Sequence, residues 1–207
     1  MKTVVVLAGG PEAPPVLELP PDVPVIAADS GAELGLRVDL AVGDFDSISA
    51  ETLARIPQVE RHPAEKDASD LELALTAALR LDPERILVVG GSGGRLDHLL
   101  GELLLLGADA YAAVQVDAQL GPAAIHVVRG ERKLRGDPGE LISLFALFGA
   151  ACGVRTEGLR YPLVGERLEP GSTRGLSNLF VEHEAEISLE TGVLLAVRPT
   201  GSVAAES

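Results

Sequence analysis

The chain has 207 residues, 46% of them apolar, and a mean hydropathy of +0.25, which is ample material for one large core or two small ones. Its formal net charge of -14 and pI near 4.6 argue against a nucleic-acid partner, because affinity for a phosphate backbone needs clustered Lys and Arg to release counterions. The one cysteine, Cys152, excludes a disulfide framework within the chain and every multi-cysteine zinc motif, and no run reaches the roughly 18 to 20 apolar residues of a membrane helix, so the expectation is a cytoplasmic protein without membrane partners.

In chain order, residues 3–7 (TVVVL) form a β-branched run closed by Gly9 and Gly10, the pattern of a strand buried on both faces. Residues 11–24 are too proline-rich for a good helix and read as an irregular crossover with one helical turn. A second strand over 25–28 ends in Asp29, Ser30 and Gly31, an acidic and small-residue corner suited to a ligand crevice. A short helix over 32–36 leads to a third strand, then a helix over 50–56 capped by Ser49 and a loop over 59–66. Leu71, Leu75 and Leu79 with Ala74 and Ala78 mark a helix whose start, Ser69 followed by Glu72, matches a capping box. A fourth strand over 85–89 runs into a glycine-rich turn, and the next helix carries Leu96, Leu99, Leu100, Leu103 and Leu104 on one face.

Residues 112–116 read as a fifth strand, and near 118–124 the alternation of strand and helix stops. The reading is therefore an α/β domain with a parallel sheet over 1–120 and, over 121–207, short strands and turns typical of a small β-sandwich. A hairpin is expected at 190–192, and the residues after Pro199 read as a frayed end. His62, His98, His126 and His183 have no zinc-ligand spacing.

The third strand ends in GDFDS, residues 43–47. Strand side chains alternate, so an extended turn would put Asp44 and Asp46 on one side, about 6 Å apart, repelling each other by roughly 3 kcal/mol at an effective dielectric of about 20. A cation offsets that, and oxygen ligands suit Mg²⁺. Equally, Asp44 fits an ordinary turn residue and Asp46 a helix cap. Asp70 fits the first turn of a helix, where the dipole favours acids. Arg95, a cation at a helix start, is opposed by the dipole unless an anion sits there, either Asp97 or a bound phosphate; equally, it fits a solvated arginine beside an ordinary helix-start acid.

Taken together, ADSGA (28–32), GDFDS (43–47), KDASD (66–70), GGRLDH (93–98), GLRYPL (158–163) and GLSN (175–178) resemble the thiamin pyrophosphokinase family in content and order. The resemblance implies a Rossmann-like α/β domain that holds ATP and metal, a β-sandwich that holds thiamin, and a homodimer with active sites at the subunit interface. It implies transfer of pyrophosphate from MgATP to the thiamin hydroxyl, giving thiamin diphosphate and AMP. By matching motif, Asp44, Asp46 and Asp70 would bind Mg²⁺, with Arg95 and Asp97 completing the catalytic set. Asp29, Lys66, Asp67, Ser69, Gly94 and Arg95 would line the ATP site, and Ser177 and Asn178 would contact thiamin. Asp70 and Asp97 are the candidates for accepting the alcohol proton. Ser30, Ser69, Glu102 and Leu179 depart from the family's usual glycine, threonine, asparagine and glutamate. Two rival readings are a pyrophosphokinase acting on a hydroxymethyl pterin and a nucleotide-binding regulatory module without turnover.

Overall fold

A computed structural model describes residues 1–12, 14, 19, 22–201 and 203, so most of the proline-rich crossover lies outside the described residues. The fold is mixed α/β, and the chain divides into two compact units. Met1–Leu105 and Ala113–Gly121 form the first; Leu106–Ala112 and Pro122–Val203 form the second.

In the first unit the elements are β1 (Thr3–Leu7), β2 (Val25–Ala28), a 3-10 turn (Asp29–Leu34), β3 (Leu40–Gly43), α1 (Ala50–Ala54), β4 (Gln58–Arg61), α2 (Asp70–Leu79), β5 (Arg85–Gly90), α3 (Leu96–Leu106) and β6 (Gln115–Leu120). The strands are all parallel in the order β4-β3-β2-β1-β5-β6. Order reverses between β1 and β5, where Gly9, Gly10, Gly90 and Gly91 close the two strands. A Cβ on Gly91 would stand 2.4 Å from the Gly10 carbonyl carbon, so only glycine permits this approach. Nearly every residue of β1, β2 and β5 is buried, as continuous apolar runs in a two-sided sheet require. Leu71, Ala74, Leu75, Ala77 and Ala78 of α2 are buried, and Ser49 and Ser69 cap α1 and α2 by accepting from the Thr52 and Glu72 amides.

The second unit contains β7 (Ala123–Val128), β8 (Glu131–Arg135), β9 (Leu141–Glu157), β10 (Val164–Leu168), β11 (Asn178–Leu179), β12 (Glu184–Ser188) and β13 (Thr191–Arg198). Pairing is antiparallel in the order β7-β13-β9-β12-β8, with β10 and β11 also on β9. Phe180, Ile142, Leu144, Ile187 and Leu194 lie in its core. Residues 106–112 belong to this unit, where Arg129 donates to the carbonyls of Gly107 (2.6 Å) and Ala108 (3.1 Å). A cation on the last carbonyls of a helix is a favourable C-terminal arrangement.

Several expectations are corrected. Residues 58–61 are an edge strand, not a loop; their mostly exposed, charged side chains carry no apolar pattern. The helical turn after β2 begins at Asp29 rather than residue 32, and the fifth strand begins at Gln115 rather than 112. No hairpin forms at 190–192. Strands β12 and β13 follow one another along the same partner, Ser188 opposite Arg155 and Thr191 opposite Cys152, with a bulge at Gly192 within β13. On α3, Leu96, Leu100 and Leu104 are exposed, not buried as one face, while Leu99 and Leu103 are half-buried. Of the end expected to fray, Gly201 and Val203 are buried, and residues 202 and 204–207 lie outside the described residues.

Candidate active site

Parallel strands bring their carboxyl ends to one edge, so the residues following β2 and β3 become neighbours. Ala28 pairs with Val42, which places Asp29 and Asp44 side by side, and α2 begins over the same edge with Asp70. One carboxylate oxygen from each of Asp29, Asp44 and Asp70 lies within 4.8 Å of the other two. Gly43 makes room: a Cβ there would come within 3.0 Å of Asp70 Oδ1 and 3.2 Å of the Asp29 Cβ.

Asp29 is 8% exposed, and its Oδ1 has no hydrogen-bond partner among the described residues. Burial pushes its carboxyl above the usual range, and the charges of Asp70 and Asp44 push the same way, while the Ser30 amide and Ser47 hydroxyl counter in part. At 4.8 Å and an effective dielectric of about 20, each pair of charges repels by about 3 to 4 kcal/mol. Hard oxygen donors, an orphaned buried oxygen and mutual repulsion fit a divalent ion such as Mg²⁺. Asp29, Asp44 and Asp70 would hold such an ion, which would neutralise their mutual repulsion.

Asp46 stands outside this group. Phe45 adopts a left-handed backbone with φ 64, which breaks the strand alternation and turns Asp46 to solvent, where its carboxylate accepts from Ser47 Oγ at 2.7 Å. Its amide donates back to Asp44 Oδ1 at 3.3 Å. Arg61 fixes the turn by donating to the Asp44 carbonyl (2.7 Å) and stacking over the Phe45 ring at 4.9 Å. Nothing in the sequence around Arg61 signals that role.

Lys66 reaches into the cluster. Its Nζ lies 2.9 Å from Asp44 Oδ2 and 3.1 Å from Asp70 Oδ1, and the side chain is 15% exposed. Its hydrogen bond and the Asp46 amide hold the Asp44 carboxyl below its ordinary value; Asp44 in turn holds the ammonium above its own. Asp67 and Ser69 are exposed beside it, Ser69 engaged as the α2 cap.

At the start of α3, Gly93 and Gly94 take left-handed conformations and Arg95 pairs bidentately with Asp97, Nε to Oδ1 at 3.1 Å and Nη2 to Oδ2 at 2.6 Å. Both side chains are exposed. Asp97 is therefore the anion that answers Arg95 in this structure, and the guanidinium holds its carboxyl down at about 2. A separate cleft of about 500 Å³ lies at the opposite, amino-terminal ends of β2, β3 and β4, where Asp39 and Glu60 are paired with Arg37 and Arg80.

Comparison with known proteins bears on this geometry. Residues 22–116 match the model of the thiamin pyrophosphokinase catalytic domain, and residues 124–194 match that of the thiamin pyrophosphokinase vitamin B1 binding domain. A thiamine pyrophosphokinase of Bacillus subtilis is 31% identical over 97% of this chain and 100% of its own. The chain belongs to the thiamin pyrophosphokinase family. A crystal structure of the Bacillus subtilis enzyme superposes with a TM-score of 0.84 at 30% identity, covering 96% of this chain and 99% of that one. A thiamin pyrophosphokinase from Geobacillus thermodenitrificans gives 0.80 at 29%, over 97% and 98%. The yeast enzyme, 15% identical with a TM-score of 0.65 over 95% of this chain and 85% of its own, shares the fold.

Within the span matched to the family's vitamin B1 binding domain lie Ser177 and Asn178. Ser177 is exposed with a left-handed backbone, φ 56, and its amide donates to Ser143 Oγ at 3.1 Å. Asn178 is buried, and its amide is occupied by the backbone: Nδ2 donates to the Tyr161 carbonyl at 2.8 Å, and Oδ1 accepts from the amides of Tyr161 (3.0 Å) and Leu179 (2.9 Å). Asn178 thus ties the GLRYPL and GLSN motifs together. Among the described residues, three of the five non-glycine residues with positive φ, namely Asp29, Phe45 and Ser177, fall in motifs that carry the family resemblance, which is where stored backbone strain is expected to concentrate.

Proposed function

We propose that this chain transfers pyrophosphate from MgATP to the hydroxyl of thiamin, releasing AMP. The observation that carries the reading is the convergence of Asp29, Asp44 and Asp70 at the carboxyl ends of adjacent parallel strands. The same crevice position, beside the reversal of strand order, is where open parallel sheets bind ligands. In this reading the first unit is a Rossmann-like ATP and metal domain, residues 1–120, and residues 121–207 are a β-sandwich that takes thiamin. The vitamin B1 binding match over residues 124–194 supports the second assignment.

Asp29, Asp44 and Asp70 would hold Mg²⁺, which when bound neutralises charge on the phosphoryl oxygens and orients them. The exposed Asp46 is proposed to act on the ion's outer waters or on the nucleotide rather than as a direct ligand. Lys66, Asp67 and Ser69 on the loop before α2, and Gly94 and Arg95 before α3, would line the triphosphate. Arg95 would exchange Asp97 for phosphate, a bidentate acceptor of the same kind. Arg95 holds the Asp97 carboxyl near 2 while the two are paired and would free it on turning to phosphate, so Asp70 and Asp97 both stand as candidates for accepting the alcohol proton. Ser177 offers its exposed hydroxyl to thiamin, while Asn178 positions the loop. A homodimer is supported by the apolar stripe that α3 leaves to solvent, with Leu96 at 78% and Leu100 at 56% exposure. We read the protein as cytoplasmic; no helix among the described residues is long and apolar enough to cross a membrane.

The test is to incubate purified protein with MgATP and thiamin and to quantify all four possible products. AMP and thiamin diphosphate should appear in equal amounts. ADP with thiamin monophosphate would overturn the proposed reaction, and turnover with a pterin alcohol but not thiamin would replace the acceptor.

A further inference from the structure

We propose that Lys66 is the resident counter-ion of the metal site: in the metal-free chain its ammonium occupies the space between Asp44 and Asp70, and metal loading turns it outward, freeing it for the nucleotide phosphates. This rests on the reading of Asp29, Asp44 and Asp70 as a divalent-cation site. The geometry is specific. Nζ lies 2.9 Å from Asp44 Oδ2 and 3.1 Å from Asp70 Oδ1, in contact with two of the three carboxylates at once. A divalent ion held by the same carboxylates would compete with this ammonium, because two cations so close repel strongly.

The remaining neighbours leave Lys66 as the natural occupant. Arg61, at the end of β4, is engaged with the Asp44 carbonyl and the Phe45 ring, and Asp29, directly after β2, adds a third carboxylate to the cluster. One ammonium offsets only part of the charge of three carboxylates, so a divalent ion neutralises the site better and displaces it. Lys66 precedes the Ser69 cap and sits on the loop between β4 and α2, so its flexible four-carbon stem can swing without unwinding the helix. A lysine in this place holds the acids together before metal arrives and delivers a positive charge at the phosphates after it.

The chain has three lysines, Lys2, Lys66 and Lys133, which makes the test direct. Wild-type protein is acylated with an amine-reactive reagent, with and without saturating Mn²⁺ and with no nucleotide present, and modification of each lysine is followed by mass spectrometry. Lys66 should become several-fold more reactive when Mn²⁺ binds, while Lys133, exposed and paired with Glu184 and Glu186, stays constant as the internal reference. In parallel, Lys66→Met should bind Mn²⁺ about tenfold tighter than wild type, because the competing cation is gone. Mn²⁺ binding that leaves Lys66 reactivity unchanged overturns the proposal while sparing the metal site, as does equal or weaker Mn²⁺ affinity in the folded variant. Failure of wild type to bind Mn²⁺ at all overturns both. Should the variant not fold, the labelling of wild type decides alone.

Discussion

Burial and two neighbouring carboxylates all resist ionisation of Asp29, so its charge destabilises the metal-free chain and becomes useful only when a cation answers it. Asp29→Asn should therefore raise the melting temperature of metal-free protein by about 2 to 4 °C, the shift that about 1 kcal/mol produces in a chain of this size. The same variant should lose Mn²⁺ binding and at least about 100-fold in single-turnover transfer, which calorimetry and quenched-flow measurements would check. A lower melting temperature with activity intact would place Asp29 among purely structural residues. Asn178→Ala removes three hydrogen bonds that the buried Asn178 side chain makes to backbone, a cost of about 2 to 3 kcal/mol visible in urea denaturation. At this scale the motifs contain Asp29, Asp44 and Asp70, but the sequence gives Asp29 no place beside the other two, and strand alternation does not continue to Asp46. The left-handed Phe45 is the cause, and its signal lies in a distant residue, Arg61, that stacks on it.

Among the elements, α3 carries a pH-dependent penalty. Burial raises the carboxyl of Glu102, partly countered by His98. The native state then holds its proton to higher pH than the unfolded chain does, so stability is unaffected below the ordinary value of 4.5, falls as pH rises through the raised value, and stays reduced above it. Glu102→Gln should remove this slope and melt higher than wild type at pH 7 but not at pH 4. In the first unit, Arg85 and Asp117 pair at 2.8 Å with almost no exposure. Arg85→Met strands the buried carboxylate without its cation and should cost about 3 to 5 kcal/mol in denaturant titrations. Elements with apolar periodicity, β1, β2, β5 and α2, follow from sequence because burial and pattern coincide there. The edge strand β4 does not, since only its backbone pairing with β3 defines it. The imagined turn at 190–192 fails for a related reason: Glu190 and Gly192 suit a reversal locally, yet continued pairing along β9 takes the chain straight on.

For the molecule as a whole, the charge of -14 is a self-repulsion that salt and divalent ions both relieve. Raising NaCl from about 20 to 200 mM should raise the melting temperature of the metal-free protein, and Mg²⁺ at about 5 mM should raise it further than its ionic strength alone explains, an increment lost in Asp29→Asn. The change from parallel strands alternating with helices to short antiparallel strands is readable in the sequence pattern, because the two kinds of pairing demand different connections. The attachment of residues 106–112 to the second unit is not, since it depends on Arg129 reaching two carbonyls about twenty residues earlier in the chain.

Strand β13 lies between β7 and β9 and is the last strand of the described chain. A ribosome that has released residues up to 121 has delivered every strand of the parallel unit, which can close while translation continues. The other unit must wait until residue 198 has left the exit tunnel, with β7 and β9 meanwhile short of their shared neighbour. During that interval the nascent protein exposes unpaired β edges, and that is the moment at which a chaperone would matter most to its yield.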